Sequence, residues 1–194
     1  MRSNASNDEP ARPRILAHIC CAPDASYVVD LLLKDYDVTG FFYNPNIWPE
    51  DEYALRLAET RKVRELLDFA LIEGERDFTV WESLTRKFKD DPEKGRRCDI
   101  CYAVRLERTA RRAVETGFPA FTTIMSVSPW KKADVLNRIG RLTGRKYGLR
   151  FLEADFKKKD GYRKSVEISR RYGLYRQNYC GCPYSLRGRR NDVR

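Results

Sequence analysis

The chain has 194 residues with 38 Lys and Arg against 28 Asp and Glu, a formal net charge of +10, and a hydrophobic content of 42%. A chain of this size buries roughly 70% of its unfolded surface and needs no covalent framework, and no stretch approaches the roughly 20 apolar residues of a membrane span, so a disulfide scaffold and a helical membrane protein are both disfavoured. The charge surplus points to an anionic partner, with nucleic acid first.

The opening MRSNASNDEPARPR is polar and lacks the apolar core of an export signal. Residues 1–14 are expected to be a flexible tail, residues 15–194 a single domain, and the location cytoplasmic. RILAHIC, from Arg14 to Cys20, reads as a strand, and the spacing of Val28, Val29, Leu32 and Leu33 predicts a helix from Ala25 to Lys34. Val38 to Tyr43 reads as a second strand, closed by the turn Asn44-Pro45-Asn46. Pro49 and Glu50 open a long helix carrying Leu55, Leu57, Val63, Leu66 and Leu67. Phe69 to Ile72 is a short strand, 78–89 a helix and 90–97 a polar loop with Pro92 and Gly95. From Asp99 to Thr116 the pattern Ile100, Val104, Leu106, Ala110, Val114 predicts a helix with Cys101 in its first turn. Ala120 to Met125 reads as a strand, Lys132 to Thr143 as a helix, Phe151 to Ala154 as a strand and Tyr162 to Arg171 as a helix.

Strands alternating with helices imply an α/β fold, a Rossmann-like three-layer sandwich with a mostly parallel sheet. Sites in such sheets form at the carboxyl ends of the strands, where Cys20, Cys21 and Asp24 fall.

All six cysteines occur in three tight pairs, Cys20-Cys21, Cys98-x-x-Cys101 and Cys180-x-Cys182. Clustered thiols imply a metal or a redox reaction, since thiolate is both a soft metal ligand and the nucleophile of disulfide exchange. Four complete an iron-sulfur cluster or a tetrahedral zinc site and leave two over. Three different spacings, spread over distant loops, suit a small zinc knuckle poorly and favour iron-sulfur. A thioredoxin-like oxidoreductase needs its CxxC in an early strand-helix unit, whereas Cys98 lies mid-chain. The first strand-helix turn, CCAPDAS, has no glycine to cradle a phosphate, which disfavours nucleotide hydrolysis. Asp24 is a candidate metal ligand or, equally, a helix N-cap before Ala25. His18, the only histidine, lies in an apolar run and reads mainly as a hydrogen-bonded core residue. Tyr102, Tyr179 and Tyr184 flank cysteine pairs and either shield the centre or face a substrate. Trp130 with Lys131 and Lys132, and the cluster Arg187, Arg189 and Arg190 after the last cysteine pair, are candidate RNA contacts.

In order along the chain, HICCAPD, RRCDICYAVRL, SPWKK, EADFKKKDGYRKS and YCGCPYS resemble the cobalamin-independent epoxyqueuosine reductase family, over about Ile15 to Ser185. The resemblance implies an iron-sulfur enzyme that reduces epoxyqueuosine to queuosine at the wobble position of tRNA with GUN anticodons. It draws on an external electron donor and needs no cobalamin. It implies a 4Fe-4S cluster, first assigned to Cys20, Cys21, Cys98 and Cys101, with Cys180 and Cys182 as a redox pair and Asp24 beside them as a catalytic group. A second scheme mixes the pairs around a cluster plus an additional mononuclear iron, with Asp24 as a ligand. Several family members carry CCAPC where this chain has CCAPD, so a role that needs a thiol at Asp24 is in doubt. The alternative from another class is a non-catalytic zinc-containing RNA-binding module.

Overall fold

The computed structural model describes residues 11–186. Five strands form one parallel sheet: β1 (Arg14–Ile19), β2 (Asp37–Phe42), β3 (Ala70–Glu73), β4 (Ala120–Thr123) and β5 (Arg150–Phe151), in the order β3-β2-β1-β4-β5. The helices are α1 (Ala22–Leu32), α2 (Glu50–Leu67), α3 (Phe78–Thr85), α4 (Arg96–Glu115), α5 (Ala133–Tyr147) and α6 (Gly161–Arg171).

Successive strand residues point to opposite faces, so β1 feeds two cores. Ile15, Ala17 and Ile19 pack with Ala25, Val28 and Val29 of α1 on one face, while Leu16 packs with Tyr102, Leu106 and Ala110 of α4 on the other. The expected α/β class and parallel sheet with helices on both faces are borne out. Among the described residues no helix is long and apolar enough to cross a membrane.

The strand order reverses at β1, with β2 and β3 on one side and β4 and β5 on the other. The carboxyl ends of β1 and β4 therefore flank the crevice where ligands bind in such sheets.

Several boundaries differ from the sequence expectations. Helix α1 starts at Ala22, because Pro23 has a fixed φ suited to a first turn and no N–H to leave unpaired. Asp24 is thus already inside the helix, and Cys21 holds the N-cap position without a side-chain cap bond. Helix α4 starts at Arg96 within the expected polar loop, where Arg97 donates back to the carbonyls of Phe88, Lys89 and Asp91. Strand β4 stops at Thr123, whose hydroxyl accepts from the Met125 N–H and starts a 3-10 turn, Ile124–Val127. Strand β5 is only two residues, and α5 runs on to Tyr147, where Gly148 at φ +66° ends it.

Candidate active site and metal centre

All six thiols are free, and the fold gathers them into two groups at the sheet's carboxyl edge. In the first, β1 delivers Cys20, the start of α1 delivers Cys21, and the first turn of α1 delivers Asp24. Their ligand atoms lie within 4.8 Å of one another, with Asp24 Oδ2 3.8 Å and Cys21 Sγ 3.9 Å from Cys20 Sγ. The capping alternative for Asp24 is not what the structure uses.

In the second group Cys98 and Cys101, three apart and so on one face of α4, meet Cys180 and Cys182 from the loop after α6. The four line a narrow apolar gap with Asn46, Trp81, Arg97 and Tyr102. The structure thus divides the set Cys20, Cys21, Cys98, Cys101 between two places and puts Cys180 and Cys182 beside Cys98 and Cys101.

The CxC loop is tied down from α2 and the segment before it. Arg56, held by Glu52 at 2.6 Å, donates to the carbonyls of Cys180 (3.1 Å) and Tyr179 (3.2 Å). Tyr179 Oη donates to the Trp48 carbonyl at 2.6 Å, and the Trp48 N–H donates to Gly181 O at 2.9 Å. Gly181 sits at φ +116°, and a Cβ there would lie 3.0 Å from Arg56 Nη1, so only glycine fits between the two cysteines.

Charge decides what this group suits. Arg97, Arg105 and Lys131 are buried around the thiols, and none has a carboxylate partner among the described residues. Buried cations demand an anion. Burial raises Cys182 and Cys101 and pushes Cys98 up to about 12. At Cys180 burial acts the same way, but the Lys131 ammonium, 2.7 Å from Sγ, outweighs it and lowers that thiol. Three buried donors by the gap, Trp81 Nε1, Arg97 Nε and Tyr102 Oη, have no hydrogen-bond partner.

Four thiols, buried positive charge and unused N–H and O–H donors fit a thiolate-held anionic cluster with acceptor sulfides. They fit a bare zinc ion less well. Tetrahedral bonds of about 2.3 Å bring sulfurs to about 3.8 Å of one another. Here no three of the four sulfurs share a 4.8 Å radius, a condition that only the Cys20, Cys21, Asp24 group meets among the described residues.

Both groups open on one cleft of about 250 Å³, whose walls include Cys20, Asp24, Arg105, Met125, Lys131 and Cys180. It lies at the β1/β4 switch point. Asn46 Oδ1 and Gln177 Oε1, from two of its lining residues, have no hydrogen-bond partner. Burial raises the Asp24 carboxyl, with Arg176 opposing, and a hydrogen bond with Cys20 followed by burial lifts Cys21 well above its ordinary value.

With the thiols and the cleft placed, comparison with known proteins gives the family. The model described as epoxyqueuosine reductase QueH matches residues 15–188. The chain belongs to the QueH epoxyqueuosine reductase family. It is 38% identical over 187 residues to the epoxyqueuosine reductase QueH of Streptococcus pyogenes serotype M1, covering 92% of this chain and 72% of that one. It is 37% identical to the protein of the same name from Thermotoga maritima, covering 91% and 92%. The fold is shared with a predicted subunit of tRNA methyltransferase from Methanocaldococcus jannaschii, at a TM-score of 0.55, 12% identity, and coverage of 79% and 76%. The resemblance read from the motifs is borne out, and so is the assignment as an enzyme, an oxidoreductase of queuosine synthesis.

Several features of this QueH-family site escaped the sequence. Lys131, expected to face RNA, turns inward to Cys180, while its neighbours Trp130, 54% exposed on the cleft rim, and Lys132 stay outside. Arg187, Arg189 and Arg190 lie outside the described residues. Tyr102 is buried against the thiols, and Tyr184 packs between Trp81 and Arg97. His18 is a core residue bonded to Thr123 Oγ1 (2.9 Å). Arg105, which the motifs did not single out, is buried at its i+4 spacing from Cys101, and that spacing was the available signal.

Proposed function

We propose that this enzyme reduces the epoxide of epoxyqueuosine in tRNA, in the cytoplasm where tRNA resides, with Cys98, Cys101, Cys180 and Cys182 holding a 4Fe-4S cluster and Cys20, Cys21 and Asp24 holding a separate iron. The observation that carries this reading is the opening of both thiol groups on one cleft, through Cys20 and Asp24 on one side and Cys180 on the other. The cluster supplies one-electron transfer and the iron a Lewis acid for the epoxide oxygen. Two electrons and two protons convert the epoxide to the alkene of queuosine and water. The electrons come from an external donor.

The chain's own residues do the rest. Lys131 and Arg105 offset negative charge at the thiolates. The unpaired carbonyl oxygens of Asn46 and Gln177 accept hydrogen bonds from the nucleoside's polar groups. Trp130, with the Lys94 ammonium 5.4 Å from its ring centroid, offers an exposed face on which a flanking base stacks, and Lys132 meets phosphate. Packing of Trp81, Tyr102 and Tyr184 keeps water from the four-thiol group.

The test is anaerobic reconstitution followed by incubation of epoxyqueuosine-containing tRNA with a chemical reductant. Brown protein that holds iron and labile sulfide and yields queuosine is expected. Colourless protein that retains only zinc and binds RNA irrespective of the epoxide would instead mark a non-catalytic binding module.

A further inference from the structure

Among the described residues Arg105 is the most enclosed cation that lacks an acidic partner. It is 2% exposed, and no carboxylate pairs with it among the described residues. Its Nε donates to His18 Nε2 at 3.3 Å and its Nη2 to Asn44 Oδ1 at 2.5 Å. Asn44 in turn donates from Nδ2 to Ile19 O at 2.9 Å, one residue before Cys20. The guanidinium therefore starts on α4, one turn beyond Cys101, and is fixed at its far end to the strand that delivers Cys20. It also lines the cleft between Cys20 and Cys180.

Cys101 lies one turn before Arg105 on α4, and Cys20 and Cys180 share the cleft wall with it. Those sulfurs belong to both thiol groups. A planar fork of five donors suits this bridging, whereas a lysine offers a compact point charge. His18 Nε2 lies between the Tyr43 carbonyl (3.1 Å) and Arg105 Nε (3.3 Å), and its Nδ1 is 2.9 Å from Thr123 Oγ1, so the buried ring is held at both nitrogens and braces the guanidinium.

We propose that Arg105 is a positioning residue shared by the two centres: its guanidinium fixes the four-thiol group relative to Cys20 and, as a buried positive charge, raises the reduction potential of the cluster. The inference rests on the placement of the cluster at Cys98, Cys101, Cys180 and Cys182. A fixed positive charge near an electron carrier favours the more negative, reduced state, so its removal makes reduction harder.

The experiment compares Arg105→Lys and Arg105→Gln with the unaltered chain after anaerobic reconstitution, by iron and sulfide content, cluster midpoint potential and steady-state kinetics. The expected result is a midpoint potential displaced to more negative values in Arg105→Gln, and less so in Arg105→Lys, which keeps the charge. kcat should fall more than tenfold in Arg105→Gln while KM for the tRNA changes less than twofold. A variant that holds a full cluster at an unchanged potential overturns the proposal. The lysine variant guards against a folding failure of Arg105→Gln, and loss of cluster from both variants, with the unaltered chain fully loaded, would also count against a role in setting potential. If the unaltered chain itself takes up no iron and sulfide, the cluster assignment fails.

Discussion

The ammonium of Lys131 lies 2.7 Å from the sulfur of Cys180, with Lys131 itself buried. Burial pulls the ammonium down, but the Cys180 sulfur holds Lys131 above its ordinary value. Cys180 is lowered, while Cys21, Cys98, Cys101 and Cys182 are raised. Because the thiolate is the reactive form, Cys180 should be alkylated ahead of those four in metal-free protein at neutral pH. Lys131→Gln should slow its modification about tenfold or more, one pKa unit being a factor of ten in thiolate. Peptide mapping by mass spectrometry after timed labelling checks the order.

Gly181 holds the CxC loop at φ +116°, with Arg56 against its open side. Gly181→Ala should cost about 1–3 kcal/mol and loosen both neighbouring cysteines. A lower unfolding temperature together with less iron per chain after reconstitution is the expected outcome, and differential scanning calorimetry with iron assay measures both.

Arg56 carries the same loop from the other direction through the carbonyls of Cys180 and Tyr179. Arg56→Ala removes both bonds and leaves the Glu52 charge with only the Tyr175 hydroxyl (2.9 Å) at a site where its cationic partner was 3% exposed. A loss of about 2–4 kcal/mol is expected, near that for breaking a buried pair. Chemical denaturation at fixed iron content provides the number.

His18 is the only histidine, fully buried, and burial followed by the charge of Arg105 lowers it well below its usual value. The unfolded chain binds its proton near pH 6.5 while the folded protein does not, so this residue favours the unfolded chain increasingly as pH falls. Stability should decline below pH 6.5 by up to about 1.4 kcal/mol per pH unit until the folded value is reached. Asp24, raised by burial, acts oppositely, gaining on acidification. Subtracting the profile of His18→Gln isolates the histidine, and the difference should be flat above pH 7 and slope below 6.5.

Trp130 is 54% exposed on the cleft rim. Trp130→Ala should change stability by no more than about 0.5 kcal/mol, as surface changes do. Loss of a base stacked on it, worth about 1–3 kcal/mol, should raise KM for tRNA roughly five- to 150-fold. Kinetics beside a melting curve separate the two effects.

Periodicity and motif made much of this molecule legible in advance. The short apolar run that marks β1, and the Leu106, Ala110 stripe of α4, are local patterns that packing then used. What sequence could not give is which thiols meet. Cys182 reaches Cys101 through a loop held by Arg56 and Trp48, contacts that span more than a hundred residues and leave no periodic trace. Lys131 looked like Lys132 because adjacent lysines in a loop carry no sign of which one turns inward. The start of α1 differs for a local reason, since Pro23 lets the helix begin earlier than the apolar spacing indicates and so takes Asp24 inside it.

The division of the thiols into two centres is tested most directly by an anaerobic crystal structure with anomalous scattering collected at the iron edge. Two separate iron peaks are expected, a cluster among Cys98, Cys101, Cys180 and Cys182 and a single ion at Cys20, Cys21 and Asp24. A lone cluster bound by Cys20, Cys21, Cys98 and Cys101, with Cys180 and Cys182 joined as a disulfide, would contradict it.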